Sequence, residues 1–357
     1  MKKRVLIDIS SHGFGHVSQT APVINALLGS LPCIELTVRS KVPARLLQGR
    51  IGHPFELIQE SSDFGIRMKN AIDVDAAATA ASYAAFHGEW GSRVATEAAW
   101  LKAASFDLVL ANVSYLPLKA ASLAGIPAVA LCSLNWADLY RHYCEGFPGS
   151  EAIHREILEA YSSAAAFLRI EPAMPMTDLE GIARQVGPIA EVGRNRAEEI
   201  RDRLGLKRGE RIGLVSMGGM PYSIPFGKWP RFEKMHWLVP ERIVRPDMTC
   251  FESLGMPFSD LIASSDAMVM KPGYGSFVEA AASGVAVLYV SRKDWPEEPF
   301  LVDWLKSHAR CLEVEREVLE KGEIADALDK LLAMPEKSKP AATGAAQASD
   351  FLGGLLT

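Results

Sequence analysis

The sequence predicts an α/β protein of two domains, each a parallel β-sheet covered by helices. Its 357 residues exceed what one hydrophobic core ordinarily organises. Short apolar runs alternate with helically spaced segments in two successive series, the pattern of buried parallel strands joined by crossover helices. Between the series, residues 171–193 are rich in Pro and Gly (Pro172, Pro175, Gly181, Gly187, Pro188), as interdomain linkers are.

The first series opens with an apolar run at 5–9, a glycine-containing loop, and Val17, Ala21, Ile24 and Leu28 at helical spacing. Proline is tolerated only near a helix start, so Pro22 predicts a helix from near Ser18, with His16 in the loop or at its mouth. Strands follow at 35–39, 108–110 and 128–131, with a helix at 116–124. The alanine-rich stretch 76–104 carries Tyr83, Phe86, Trp90, Val94 and Leu101 at intervals of one long helix, weakened in its middle by Gly88 and Gly91. Its aromatic stripe reads as core.

The second series predicts strands at 212–216, 267–270, 285–290 and 311–314, and helices at 258–264, 277–282, 300–307 and 324–333. Its first strand ends in Met217-Gly218-Gly219. Residues 221–230 interleave Pro221, Pro225 and Pro230 with Tyr222, Phe226 and Trp229, which excludes a helix and reads as a packed irregular connection. The domains are placed at 1–175 and 176–340, with a last helix in 341–357 crossing back to the first.

Composition narrows the function classes. A hydrophobic share of 48% and a charged share of 23% are those of an ordinary globular protein. A net charge of -5, with no dense Lys/Arg run, disfavours nucleic acid and anionic membranes as partners. The five cysteines lie far apart without C-x-x-C spacing and read as reduced thiols. The apolar run after Met-Lys-Lys-Arg is too short for a signal peptide and contains Asp8; no stretch approaches the ~20 apolar residues of a spanning helix. A cytoplasmic location is expected.

The sharpest local signal runs from Ser265 to Glu279. A buried strand delivers Lys271 and two glycines, Gly273 and Gly275, to a helix expected to start near Ser276. Free N–H groups and the positive dipole end at such a start suit phosphate. Lys271 adds a cation at the carboxyl end of a strand, where open α/β sheets bind ligands. Glu279 can accept hydrogen bonds from ribose hydroxyls. By local physics alone, a tight turn that needs glycine stands equally well.

Lys271-Pro272-Gly273-Tyr274-Gly275-Ser276-x-x-Glu279, followed by Gly284-Val285-Ala286-Val287 and Asp294-Trp295-Pro296-Glu297-Glu298, resembles the donor half of GT-B nucleotide-sugar glycosyltransferases. The UDP-glycosyltransferases and the N-acetylglucosaminyltransferase that makes lipid II are of this shape. The resemblance implies two Rossmann-like domains facing each other across a cleft. It places Lys271 and Ser276 on the diphosphate, Glu279 on the ribose, Tyr274 at an aromatic position, and Glu297 and Glu298 at the donor sugar, with Gly218 and Gly219 on the same side. Lys271 stands where His is common and Glu298 where Gln is usual, so the sugar is not read from the motif.

Ser11-His12-Gly13-Phe14-Gly15-His16, Asp63-Phe64-Gly65 with Asp73 and Asp75, and Ser133-Leu134-Asn135-Trp136-Ala137-Asp138-Leu139-Tyr140 resemble the glycosyltransferase-like domain fused to plant arabinokinases and its free-standing bacterial relatives. This resemblance spans nearly the whole chain. No kinase-type phosphate loop follows, so kinase activity is not expected.

Gly13-x-Gly15 lacks the third glycine and the acidic residue of a dinucleotide fingerprint, which disfavours NAD. The GT-B resemblance puts His16 beside the acceptor as a base, a task that imidazole suits. His12 can orient it or bind phosphate; a helix cap or a satisfied carbonyl is the alternative for either. Gly13 and Gly15 fall on the acceptor side; Trp136 and Asp138 follow a strand end and either line that side or are a core Trp with a surface Asp. Asp73-Val74-Asp75 spells a D-x-D metal motif, yet Asp is equally a helix-start residue, and that role is preferred. No metal and no cofactor are expected beyond a nucleotide-diphosphate co-substrate, a UDP-sugar first. The expected reaction is transfer of a sugar to a hydroxyl or amine of a small-molecule or lipid acceptor in the cleft, with inversion. The alternatives are a nucleotide-sugar 2-epimerase-like enzyme and a non-catalytic nucleotide-sugar-binding protein.

Overall fold

The computed structural model describes residues 2–70, 72–219 and 222–357. The chain divides into two compact units, 1–69 with 73–189 and 343–357, and 70–72 with 190–342. The sequence placed this division at 175/176. It falls later because part of the supposed linker, Ala183–Val186, has enough extended backbone to add an edge strand to the first sheet.

The first unit holds seven parallel strands: β1 Lys3–Ile9, β2 Ile34–Arg39, β3 Glu56–Ile58, β4 Leu108–Asn112, β5 Ala128–Cys132, β6 Ala166–Ile170 and β7 Ala183–Val186. Their spatial order is β3-β2-β1-β4-β5-β6-β7. β1, β4 and β5 are almost wholly buried, as apolar strands covered on both faces must be. One ionic pair interrupts this apolar layer: Asp8 on β1 accepts Arg39 Nε of β2 at 2.5 Å, and Arg39 also reaches Glu97 at 2.6 Å. The helix Gly344–Leu356 belongs to this unit, where Ser349 Oγ lies 3.5 Å from Ser30 Oγ of the helix Gly15–Ser30.

Three helical expectations need correction. The first helix starts at Gly15 and not near Ser18, so His16 stands in its first turn. Pro22 is carried inside this helix, where it leaves the Ser18 carbonyl without the N–H of the residue four positions on. The alanine-rich stretch forms two helices, Ala76–His87 and Trp90–Ala103, broken at Glu89, whose backbone (φ -119°, ψ 20°) leaves the helical path that Gly88 still follows. Asp75 caps the first of them by accepting from Ala78 N at 2.9 Å. Tyr83, Val94 and Leu101 are buried core residues, as the stripe predicts. In the second unit, the helix expected near Ser276 begins at Tyr274, because Gly273 is already the extended residue that precedes it.

The second unit's strands are β8 Arg211–Ser216, β9 Met235–Val239, β10 Met248–Cys250, β11 Ala267–Met270, β12 Ala286–Tyr289 and β13 Cys311–Glu313, in spatial order β10-β9-β8-β11-β12-β13. The irregular connection ahead of β9 packs as expected from Tyr222 onward; Pro221 lies outside the described residues. Ile224, Phe226 and Trp229 are buried in the core of this unit. Arg245 closes the loop by donating to the carbonyls of Phe226 and Trp229 at 2.8 and 2.7 Å, while Asp247 holds the guanidinium at 2.6 Å. No helix among the described residues is long and apolar enough to cross a membrane.

Candidate functional site

Each sheet reverses its strand order once, between β1 and β4 in the first unit and between β8 and β11 in the second. The crevice at the carboxyl ends of such strands is where open α/β sheets bind ligands. Both candidate centres lie at these reversals.

In the first unit, Ile9 pairs with Asn112, so the loop after β1 leaves the sheet beside the end of β4. His16 enters the helix there with 6% of its surface exposed. Its Nδ1 stands 2.8 Å from Asn112 Oδ1. The Asn112 amide orientation follows from its neighbours: Nδ2 donates to Gln19 Oε1 at 3.0 Å and to Thr20 Oγ1 at 2.8 Å, while Gln19 Nε2 donates to Ser133 Oγ at 2.9 Å. Oδ1 is therefore the acceptor, Nδ1 of His16 carries the proton, and Nε2 keeps its lone pair. Burial lowers the His16 pKa to about 4, an effect the Asn112 hydrogen bond only partly offsets. The ring is thus an uncharged proton acceptor at neutral pH.

Trp136 is fully buried, with its ring centroid 5.8 Å from that of His16 and 5.3 Å from that of His12. Its Nε1 donates to Asp63 Oδ2 at 2.7 Å, and Asp63 also receives Ser10 Oγ at 3.0 Å. Burial, with the nearby Asp8 charge adding to it, raises the Asp63 pKa to about 6 against these donors. Gly65 lies on the His12 ring: at φ +60° its Cβ position falls 2.7 Å from His12 Cγ, so only glycine lets the Asp63 segment lie this close. Gly13 and Gly15, by contrast, face open space, since a Cβ at either meets nothing within 4 Å. The structure therefore gathers His12, His16, Trp136 and Asp63 at one place.

Asp138 has a different employment. Asn135 caps the helix Trp136–Cys144 by accepting from Asp138 N at 2.8 Å, and the Asp138 carboxylate accepts from Asn135 Nδ2 at 2.8 Å and pairs with Arg141 at 3.2 Å. It closes a reciprocal helix cap. Among the described residues no group of three or more His, Cys, Asp or Glu is arranged to hold a metal ion.

In the second unit, Met270 pairs with Ser216, and the two chains leave the sheet side by side. Gly218 turns with φ +83°, and a Cβ there would meet Lys271 Cε at 3.4 Å, so the lysine stem lies across the glycine. Lys271 is partly buried and makes no hydrogen bond or ion pair among the described residues. Burial, and after it the charge of Arg292, lowers its pKa to about 7, with Glu297 and Glu298 acting in the opposite sense. The helix Tyr274–Ser283 has no side-chain cap and no acidic residue in its first turn, so its N-terminal dipole end is left uncompensated. Gly219 is exposed, Gly273, Gly275 and Ser276 form the entry to the helix, and Tyr274 and Glu279 are buried in it.

The acidic pair is also built in. Glu298 accepts Ser291 Oγ at 2.5 Å and Arg292 N at 2.7 Å, closing the loop between β12 and the helix Glu298–His308. Glu297 accepts from Trp295 Nε1 at 3.1 Å, and the Arg292 guanidinium carbon stands 3.8 Å from the Trp295 ring centroid. Sequence reasoning missed Asn112 and Arg292. Asn112 had a signal: it is the polar end of an otherwise apolar strand, beside the strand that feeds the glycine loop.

No family model matches the chain. It is 24% identical to the L-arabinokinase of Arabidopsis thaliana over 346 residues, which is 91% of this chain and 32% of that protein. The chain thus spans about a third of the length of the curated relative it matches. Among solved structures it is similar to CalG4, the calicheamicin glycosyltransferase, with a TM-score of 0.62 at 15% identity, covering 100% of this chain and 99% of that one. Arabidopsis thaliana UGT89C1 complexed with quercetin gives 0.62 at 13% identity, covering 100% of both chains. The S. aureus MnaA–UDP co-structure gives 0.61 at 11%, covering 98% and 95%. These likenesses show the GT-B fold.

Proposed function

We propose that the chain is a nucleotide-sugar-dependent glycosyltransferase, with the donor diphosphate held by the second unit and the acceptor by the first. The observation that carries this reading is Lys271, a cation with no ion-pair partner among the described residues, lying over Gly218 at the sheet's reversal and close in sequence to an uncapped helix start. Such a place offers helix N–H groups and a cation that no carboxylate among the described residues meets within ion-pair distance, and it suits a diphosphate. The UDP in the S. aureus MnaA co-structure supports UDP as the nucleotide to try first. The quercetin in the UGT89C1 structure supports a small-molecule acceptor hydroxyl.

In this reading His16 Nε2 takes the acceptor proton, held in the right tautomer by Asn112. The acceptor oxygen attacks the anomeric carbon, the bond to the β-phosphate oxygen breaks, and inversion follows from this single displacement. Lys271 and the N–H groups at the helix start hold the charge that builds on the leaving diphosphate. Glu298 acts as a loop-closing residue.

A thermal-shift screen over UDP-, GDP-, dTDP- and CDP-sugars tests the donor half, because a bound ligand stabilises in proportion to its occupancy. One nucleotide class should raise the melting temperature, and Lys271→Ala should abolish the rise. No rise with any of the four removes the donor site. Conversion of the binding donor to an isomer without an acceptor would replace transfer by epimerisation.

A further inference from the structure

We propose that a nucleoside diphosphate binds the second unit together with one proton, which is taken up on Nζ of Lys271. This rests on the donor-site reading above and specifies how that site acquires its charge.

The arrangement around the amine favours its neutral form while the site holds no anion. Arg292, on the loop after β12, brings a second positive charge. The start of the helix Tyr274–Ser283, three residues on from Lys271, adds the positive end of a dipole, which disfavours a neighbouring cation. The two carboxylates that act in the opposite sense are engaged by other groups: Glu298 by Ser291 Oγ and the Arg292 amide, Glu297 by the Trp295 indole. Neither comes within ion-pair distance of Lys271. The helix also carries Tyr274 and Glu279, both buried, and the end of β8 contributes only Ser216, Met217, Gly218 and Gly219, which bring no charge. Burial is the largest cause of the lowering of Lys271 to about 7, with Arg292 after it and Glu297 and Glu298 opposing both. A nucleoside diphosphate reverses it, since about three negative charges at pH 8 arrive where the cations crowd. The amine then holds its proton well above neutral pH and faces the leaving group as an ammonium.

Calorimetry of UDP binding at pH 8, in HEPES and in Tris buffer, counts the protons exchanged, because the two buffers differ in ionisation enthalpy. An amine that titrates near 7 when free and well above 8 when occupied takes up about 0.9 proton per UDP at pH 8. UDP affinity should then fall about tenfold between pH 8 and pH 9. In Lys271→Arg, whose side chain stays charged, uptake should vanish and affinity should stay flat over the same range; its melting temperature checks that it is folded. UDP binding without proton uptake in the wild-type protein overturns the proposal and leaves the donor site standing. Uptake that persists in Lys271→Arg also overturns it. Failure of UDP, GDP, CDP and dTDP alike to bind removes the donor site and this proposal with it.

Discussion

Asn112→Asp is the most informative single change, because it alters the charge beside His16 and little of its shape. In the wild-type protein the amide oxygen 2.8 Å from Nδ1 orients the ring but cannot neutralise an imidazolium. A carboxylate in its place attracts the charged ring by about 4 kcal/mol at an effective dielectric near 20, or about three pH units. Part of this is lost in burying the carboxylate, so His16 should rise from about 4 to the neighbourhood of its ordinary value. The variant also gives up the donors to Gln19 and Thr20, which should destabilise it by about 2–3 kcal/mol near neutral pH. The sign with pH follows from the folded wild-type ring lying below its unfolded value near 6.5. The unfolded chain binds more protons between pH 4 and 6.5, so the wild-type protein loses up to about 3 kcal/mol on this account as pH falls through that window. Asp63, raised to about 6, has the opposite slope over nearly the same range and masks it. A bulk acid-denaturation curve is therefore a poor assay. NMR titration of the His16 ring in both proteins, with urea unfolding at pH 5 and pH 7, isolates the effect, since the variant, freed of the His16 loss, should gain stability at pH 5 relative to pH 7 where the wild-type protein changes little. A wild-type ring that titrates near 6.5, or a variant ring no higher than wild type, would refute the tautomer and charge assignment.

Two further substitutions separate donor-site parts from scaffold. Gly218→Ala places a Cβ at φ +83° and 3.4 Å from Lys271 Cε; it should cost about 1–2 kcal/mol and weaken the thermal shift given by UDP, whereas an unchanged shift means that the lysine stem does not need this glycine. Glu298→Ala removes both bonds that close the loop after β12 and should cost about 2–4 kcal/mol in urea unfolding without ligand, against about 1 kcal/mol for the helix-cap change Asp138→Ala; wild-type stability in Glu298→Ala would return this residue to a direct sugar contact.

The fold was legible where local periodicity and burial agree. The strands at 108–110, 128–131 and 267–270 were found from their apolar runs, because strands buried on both faces leave no other pattern. β9, Met235–Val239, was not found, since His236 and Trp237 break its apolar reading and a proline-rich loop precedes it. The alanine-rich stretch misled for the opposite reason. The helix formers on both sides of Gly88 and Gly91 carried the reading of one helix across them, while the break falls at Glu89, whose own propensity does not mark it.

The candidate site was legible in its backbone and less so in its side-chain chemistry. The glycines and Lys271 announce themselves, because a strand that turns directly into a helix constrains several consecutive residues. Asn112 does not, since its role exists only once a residue 96 positions away stands 2.8 Å from it. The same holds for Glu298: its neighbour Glu297 and its place after β12 suggested a sugar contact, but Ser291 and Arg292 fold back within a few residues and take the carboxylate first. A polar residue at a strand end is thus a candidate in both directions, as a ligand group or as the group that holds one in place, and its hydrogen-bond partners decide between them. For His16 those partners leave one nitrogen for a substrate; for Glu298 they engage both carboxylate oxygens. On this ground the proposed reaction gives the chemistry to His16 and Lys271, and the shaping of the site to Asn112 and Glu298.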